Sequence, residues 1–294
     1  MRFTQKPSAK REVNSGPRRP DRCTSDRSVQ CERSQFCCDK HALSFSGGGL
    51  LAAAYHLGAF RALSQPNARD STSLLDPIRS PMVGVSAGAL VASVMSANAH
   101  WDDCVASLDR IINQVRSASG PLGCDILKLV KPHLQVLLPM DAHERLQARG
   151  TTIFVTDVSS RPWLPVAHTE WKSRDDLIDC ILISSYIPGI TSRKSPGDGR
   201  HIDGGLRNNF PMHPTAPRTV RVSPFSGELD ICPELRPGYR SPRLVLMPSK
   251  VRLHMSRDNA SAVLRTLFPP ADDGWLQKTL ARGFDDACRW LRSQ

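Results

Sequence analysis

Three times in this chain a strand-like segment, apolar in the first two cases, runs into a turn that holds glycine. "HALSFS" meets Gly47, Gly48 and Gly49, "PMVGVS" ends on Ser86 just before Ala87-Gly88, and "RHID" meets Gly204 and Gly205. The first two turns open at once into "LLAAAYHLGAFRAL" and "AGALVASVMSANA", whose Ala and Leu content favours helix. Parallel strands need crossover connections, and helices used as crossovers cover the faces of the sheet. Further strands are expected at "TTIFVTDV" (151–158) and "RTVRVSP" (218–224). A helix is expected over "DLIDCILISSYI" (176–187), stopped by Pro188-Gly189. Leu276, Leu280, Phe284, Ala287 and Leu291 form one apolar stripe at helical spacing near the C-terminus. The expected class is α/β, with a mostly parallel central sheet and a sharp strand–helix turn at Ser86.

The chain has 294 residues, 40% of them hydrophobic, which supplies one large core and excludes collagen, coiled coil and full disorder. No run of about 18 apolar residues is present, so no spanning helix is expected. The N-terminus has no apolar segment of the kind a secretory signal needs. Residues 1–40 hold Arg, Lys, Ser and Pro without strand or helix periodicity and read as a disordered basic tail; residues 41–294 read as one domain. Glu12, Asp21, Asp26, Glu32 and Asp39 interrupt the positive charge and disfavour a transit peptide. The net charge of +11 suits anionic lipid surfaces, nucleic acid or acidic ligands equally. There is no zinc-finger spacing and no interleaving of basic with aromatic residues, so nucleic acid is not an expected partner. Nine cysteines without a CxxC read as reduced thiols in an intracellular compartment. Cys23, Cys31, Cys37 and Cys38 with His41 fit no standard zinc pattern. Neither a metal nor a cofactor is expected.

Three motifs can carry chemistry. Gly84 to Gly88, "GVSAG", is a G-x-S-x-G between a strand and a helix. There it forms an elbow that exposes Ser86 at the helix N-terminus, where glycines two residues either side relieve crowding. Its plainer reading is a tight turn with a capping serine. "SGGGLLA" (46–52) leaves backbone N–H groups free for an anion. It fits an oxyanion hole, or a G-x-G-x-x-A dinucleotide cradle through Gly47, Gly49 and Ala52, or simply a tight turn. The dinucleotide reading wants an acid about 20 residues on, and Asp70 sits instead in loop-like "QPNARDSTS". Asp203-Gly204-Gly205 alone is a turn, and its weight comes from following the other two motifs in this order. A further stretch, "LKLVKPHLQVLLP" (127–139), has no acid and suits either a membrane surface or a half-buried surface helix broken by Pro132.

Glycine cradle, G-x-S-x-G and D-G-G in that order resemble the patatin-like phospholipases, nearest the animal adiponutrin-like and triacylglycerol lipase branch. The resemblance rests on "LSFSGGG…YHLGAFRAL", "GVSAGAL", "SSYIPG", "HIDGGLRNNFP", "VRVSPFSGELDICP" and "LFPP", and runs from about residue 42 to 292. It implies a three-layer patatin-like fold and a serine acyl hydrolase acting on triacylglycerol or phospholipid esters. Ser86 would be the nucleophile, Asp203 its dyad partner, and Gly47, Gly48 and Gly49 the oxyanion loop. An acyltransferase on the same dyad, and a weakly active lipid-binding regulator, are the alternatives. The partner so implied is lipid at a membrane or lipid-droplet surface, met from the cytoplasm by peripheral association; no protein co-activator is specified. His56, His213 and His254 lack the local context of a catalytic histidine, so no triad is expected.

Overall fold

The computed structural model describes residues 41–65, 75–118, 124–235, 238, 241–246 and 249–294. The expected N-terminal tail, Cys23, Cys31, Cys37, Cys38 and Asp70 lie outside them.

Strand β1 (Ala42–Phe45) runs parallel to β2 (Met82–Val85) on one side and to β6 (Thr219–Val222) on the other. Beyond β2 comes β3 (Thr152–Asp157), also parallel, and then β4 (Leu164–His168), antiparallel. The short β5 (His201–Asp203) pairs antiparallel with β3 and completes a mixed, mostly parallel six-stranded sheet. Every residue of β1 and β2 is buried. Neighbouring strand residues point to opposite faces, so both faces of the sheet centre are covered, as in a three-layer α/β fold.

Helix α1 (Gly49–Leu63) follows β1 after only Ser46, Gly47 and Gly48, and α2 (Ala87–Ser96) follows β2 after Ser86 alone. They are followed by α3 (Trp101–Ser117), α4 (Ile126–Leu137), α5 (Ala142–Arg149), α6 (Arg174–Ser184) and the one-turn α7 (Gly205–Asn208). A hairpin of β7 (Arg243–Leu246) and β8 (Val251–His254) leads into α8 (Arg257–Leu267) and α9 (Trp275–Arg292). The main core runs through β1, α1, α2, α3, α4 and α9, while Phe210, Phe225 and Val251 make a small second core near the hairpin. Helix α9 buries Leu276, Leu280 and Ala287 of its expected stripe and is tied to α1 by the Tyr55 hydroxyl, which donates to Asp286 at 2.6 Å.

Two expectations are corrected. The helix expected over 176–187 ends at Ser184, ahead of Pro188-Gly189. Its next residues are drawn off by tertiary hydrogen bonds: Asp203 N–H donates to the Tyr186 carbonyl at 2.8 Å, and Gly204 N–H to the Ser184 carbonyl at 3.3 Å. Pro132 does not break α4, which runs through it as a half-buried helix. Pro132 and Lys128 both face solvent, so the Lys128 carbonyl that loses its N–H partner can be hydrated. The helix is capped by the Asp125 carboxylate, which accepts from Lys128 N–H at 3.1 Å. No helix among the described residues is long and apolar enough to cross a membrane.

Candidate active site

The sheet register itself brings the site together. Strand β4 occupies one edge of β3 along Ile153 to Asp157. On the other edge β2 ends with Val85 opposite Phe154, and β5 ends with Asp203 opposite Val155. The two strands run toward each other along one edge and stop at adjacent positions. Ser86, the residue after Val85, therefore leaves the sheet where Asp203 arrives. The Ser86 side chain comes near enough to the Asp203 carboxyl to favour its ionised form.

Ser86 has φ 55° and ψ −127°, outside the regions an L-residue prefers. Such strain persists only where the surroundings enforce it. A Cβ on Gly84 would run into the Gly88 carbonyl, so the residues flanking the serine must be small for the chain to reverse this tightly. The Ser86 N–H is held at 2.9 Å by the Ser184 hydroxyl, which donates in turn to the Phe154 carbonyl at 2.7 Å. Ser184 thus clamps the elbow to β3, and the carbonyls of the same segment receive the N–H groups of Asp203 and Gly204.

Asp203 is 3% exposed. Burial pushes its carboxyl up to about 6, against the downward pull of the Ser86 hydroxyl and the Gly205 N–H. That N–H donates to Oδ1 at 2.7 Å, and the Thr156 hydroxyl fixes the Asp203 carbonyl at 2.8 Å. A carboxyl so placed is ionised near neutrality yet more basic than one in water, the balance a proton acceptor needs.

Gly47 lies beside the serine, close enough that a Cβ on it would sit 3.3 Å from the Ser86 Cβ. Gly48 (φ 139°) and Gly49 (φ 55°) turn the chain into α1 through conformations that an L side chain rarely adopts. Among the described residues no acceptor takes the N–H groups of Gly47, Gly48 or Gly49. They are free donors at a helix N-terminus, suited to an anion. Their place against Ser86 favours the oxyanion arrangement over the dinucleotide cradle.

A cavity of about 120 Å³ opens on Ser86. Its walls are aliphatic: Leu57 of α1, Leu90 of α2, Leu108 and Ile111 of α3, and Val130 and Leu134 of α4. Thr266 and Leu267, at the end of α8, close it from the glycine-loop side.

The histidines stand elsewhere. His213 Nε2–H donates to the Gly150 carbonyl at 2.8 Å, and His56 Nε2–H to the Ser46 carbonyl at 2.8 Å. His254 lies on β8, away from the elbow in sequence and hydrogen bonding. Of the residues singled out from sequence, Ser86, Asp203, the three loop glycines and the four turn glycines Gly84, Gly88, Gly204 and Gly205 all converge on this one corner of the sheet. Ser184 was singled out only as part of "SSYIPG"; no local pattern marks a serine that bonds across 98 residues.

The family model described as patatin-like phospholipase matches residues 43–216. Human patatin-like phospholipase domain-containing protein 4 is 33% identical over 256 residues, covering 85% of this chain and 95% of its own length. Mouse patatin-like phospholipase domain-containing protein 2 is 30% identical, and the human 1-acylglycerol-3-phosphate O-acyltransferase PNPLA3 is 29% identical. Each of those two matches covers 86% of this chain, but it spans only 50% and 51% of the relative. Among solved structures, VipD from Legionella pneumophila aligns over 87% of this chain and 67% of its own, with a TM-score of 0.47 and 13% identity. The chain belongs to the patatin-like phospholipase family.

Proposed function

We propose that the protein is a serine acyl hydrolase of lipid esters, acylglycerols or phospholipids, working through Ser86 and Asp203. The observation that carries this reading is the meeting of β2 and β5 end to end on one edge of β3, which brings Ser86 beside the buried Asp203 carboxyl at the mouth of an aliphatic cavity. The Asp203 carboxylate takes the Ser86 proton as Oγ attacks the ester carbonyl carbon. The carbonyl oxygen becomes an oxyanion beside the N–H groups of Gly47 to Gly49, where each donor is worth on the order of 3 kcal/mol to the transition state. Collapse breaks the ester C–O bond, and Asp203 returns the proton to the leaving alcohol. The acyl-serine is then attacked by water, whose proton passes to Asp203, and Ser86 regains its hydroxyl as the acid departs. The acyl chain occupies the cavity between α3 and α4.

The reading extends to where the enzyme works. Helix α8 exposes Val263 and Leu264, at 59% and 68%, with Phe268 just beyond and Arg257 and Arg265 alongside. Its last residues line the cavity, so this apolar and basic face is continuous with the mouth of the site. The occupant we assign to it is a lipid surface, from which substrate enters from cytoplasmic membranes or lipid droplets.

Acyl transfer is the second reading. It is favoured by the relative named as an O-acyltransferase. An alcohol then replaces water in the second half-reaction, with the same proton path. Labelling with an alkyl fluorophosphonate, a panel of acylglycerol and phospholipid esters, and a parallel assay with a lysolipid acceptor test the proposal. Ser86-dependent labelling with release of fatty acid supports hydrolysis; label with product only on added acceptor supports transfer. Absence of label on folded protein overturns both and leaves the lipid-binding regulator.

A further inference from the structure

His56 is completely buried about two turns into α1, behind the glycine loop. Its ring packs on Phe45, with centroids 5.2 Å apart, and edge-on to Tyr55 at 6.2 Å. Nε2 lies 2.8 Å from the Ser46 carbonyl oxygen, which can only accept, so Nε2 carries the proton. Nδ1 is buried with no partner among the described residues. Burial pushes the ring down to about 4, so it is neutral at ordinary pH. An aliphatic side chain would fill this space without stranding a nitrogen. What the histidine adds is one hydrogen bond to one carbonyl.

That carbonyl belongs to the peptide whose N–H is Gly47. In a trans peptide the C=O and N–H point in opposite directions. Drawing the Ser46 oxygen toward α1 turns the Gly47 N–H away from it, on the residue whose Cα faces Ser86. Gly88, at the start of α2, confines the same oxygen from another side: a Cβ there would lie 2.7 Å from it. The Gly47 N–H has no acceptor among the described residues and is left for a ligand. A hydrogen bond received at C=O also polarises the amide and strengthens its N–H as a donor.

We infer that His56 is a positioning residue, holding the Ser46–Gly47 peptide so that the Gly47 N–H is aimed at the oxyanion formed at Ser86. This rests on Ser86 being the nucleophile. Only the neutral imidazole takes part, and it exchanges no proton with substrate.

The test compares His56→Phe, His56→Met and His56→Gln with the wild type. It reads kcat and KM on p-nitrophenyl butyrate, the rate of phosphonylation by an alkyl fluorophosphonate, and melting temperature. The apolar variants should lose roughly ten- to hundredfold in kcat and in phosphonylation rate, with KM within about threefold, because an oxyanion donor acts in the transition state. His56→Gln, which retains an N–H donor, should recover much of that loss. Folded Phe and Met variants within about twofold of wild-type kcat, or a Gln variant no better than Phe at equal melting temperature, would overturn the inference. If the apolar variants do not fold, nitrogen-15 NMR of the histidines in the wild-type protein decides. The Nε2–H resonance of His56 should move on phosphonylation of Ser86, and an unmoved resonance counts against the role. Absence of labelling in the wild type removes the nucleophile reading and this inference with it, whereas normal labelling that ignores His56 removes the inference alone.

Discussion

At the scale of single residues the decisive group of the proposed reaction is Asp203, a carboxyl kept out of water beside the elbow that carries Ser86. Asp203→Asn keeps the shape and can still accept from Gly205 N–H, but it cannot take a proton from Ser86. Turnover of a soluble ester should fall to the level of Ser86→Ala, while His213→Ala, though less stable, keeps measurable turnover; initial rates on the three folded variants check this. In the proposed mechanism the same carboxyl sets the pH dependence. With Asp203 raised to about 6, kcat/KM should rise with pH through a limb near 6 and drop about tenfold per unit below it. Stability runs the other way. The folded carboxyl lies above its ordinary 3.8, so its contribution is complete below about 4 and is lost as pH rises through about 6. A pH–rate profile on a water-soluble substrate, with melting temperatures across the same range, measures both. A rate unchanged between pH 5 and pH 7 would contradict the assigned base.

At the scale of elements the site is a junction of three segments, held by bonds that no single element contains. The Ser184 hydroxyl at the end of α6 serves the elbow N–H and the β3 carbonyl together. Ser184→Ala strands both groups, at about 1–3 kcal/mol of stability. It should also lower kcat more than it raises KM, since it loosens the backbone that carries Ser86; thermal melts and steady-state kinetics separate the two effects. The walls of the cavity come from α1, α2, α3 and α4. Leu90 faces that space from α2 and is only partly buried, so Leu90→Trp adds bulk where there is room. Hydrolysis of long-chain esters should fall well below that of a butyrate ester in this variant. A chain-length series that drops uniformly would place the acyl group elsewhere.

Across the whole molecule, charge and exposed apolar surface bear on how substrate is met. The chain carries +11, and α8 with the residue after it exposes Val263, Leu264 and Phe268 beside the cavity mouth. Replacing Leu264 and Phe268 together by Glu should cut activity on ester carried in anionic vesicles by about tenfold or more, through lost apolar burial and added repulsion. Activity on dissolved p-nitrophenyl butyrate should stay within about twofold, because neither side chain is among those lining the cavity. Vesicle sedimentation and parallel rates on both substrates read this out.

Sequence alone determined the local steps of this fold. Strand, glycine and helix at 42–63 and 82–96 were legible because apolar runs, helix-forming composition and turn glycines act over a few residues. The elbow at Ser86 was legible for the same reason, and the order of the three motifs marked Asp203. Strand β4 was not, since Leu164–His168 is short, carries Pro165 and lacks alternation; it lies at the sheet edge, where proline is tolerated. The end of α6 was misplaced because its carbonyls answer to Asp203 and Gly204, which no window around Ser184 contains. Only the tertiary structure decided that β2 and β5 meet head to head on one edge of β3, that Ser184 ties them, and that His56 grips the peptide before Gly47. The physical reason is that periodicity and propensity record a residue's near neighbours along the chain. Hydrogen bonds among buried groups are set by the register of strands and the packing of helices far apart in sequence.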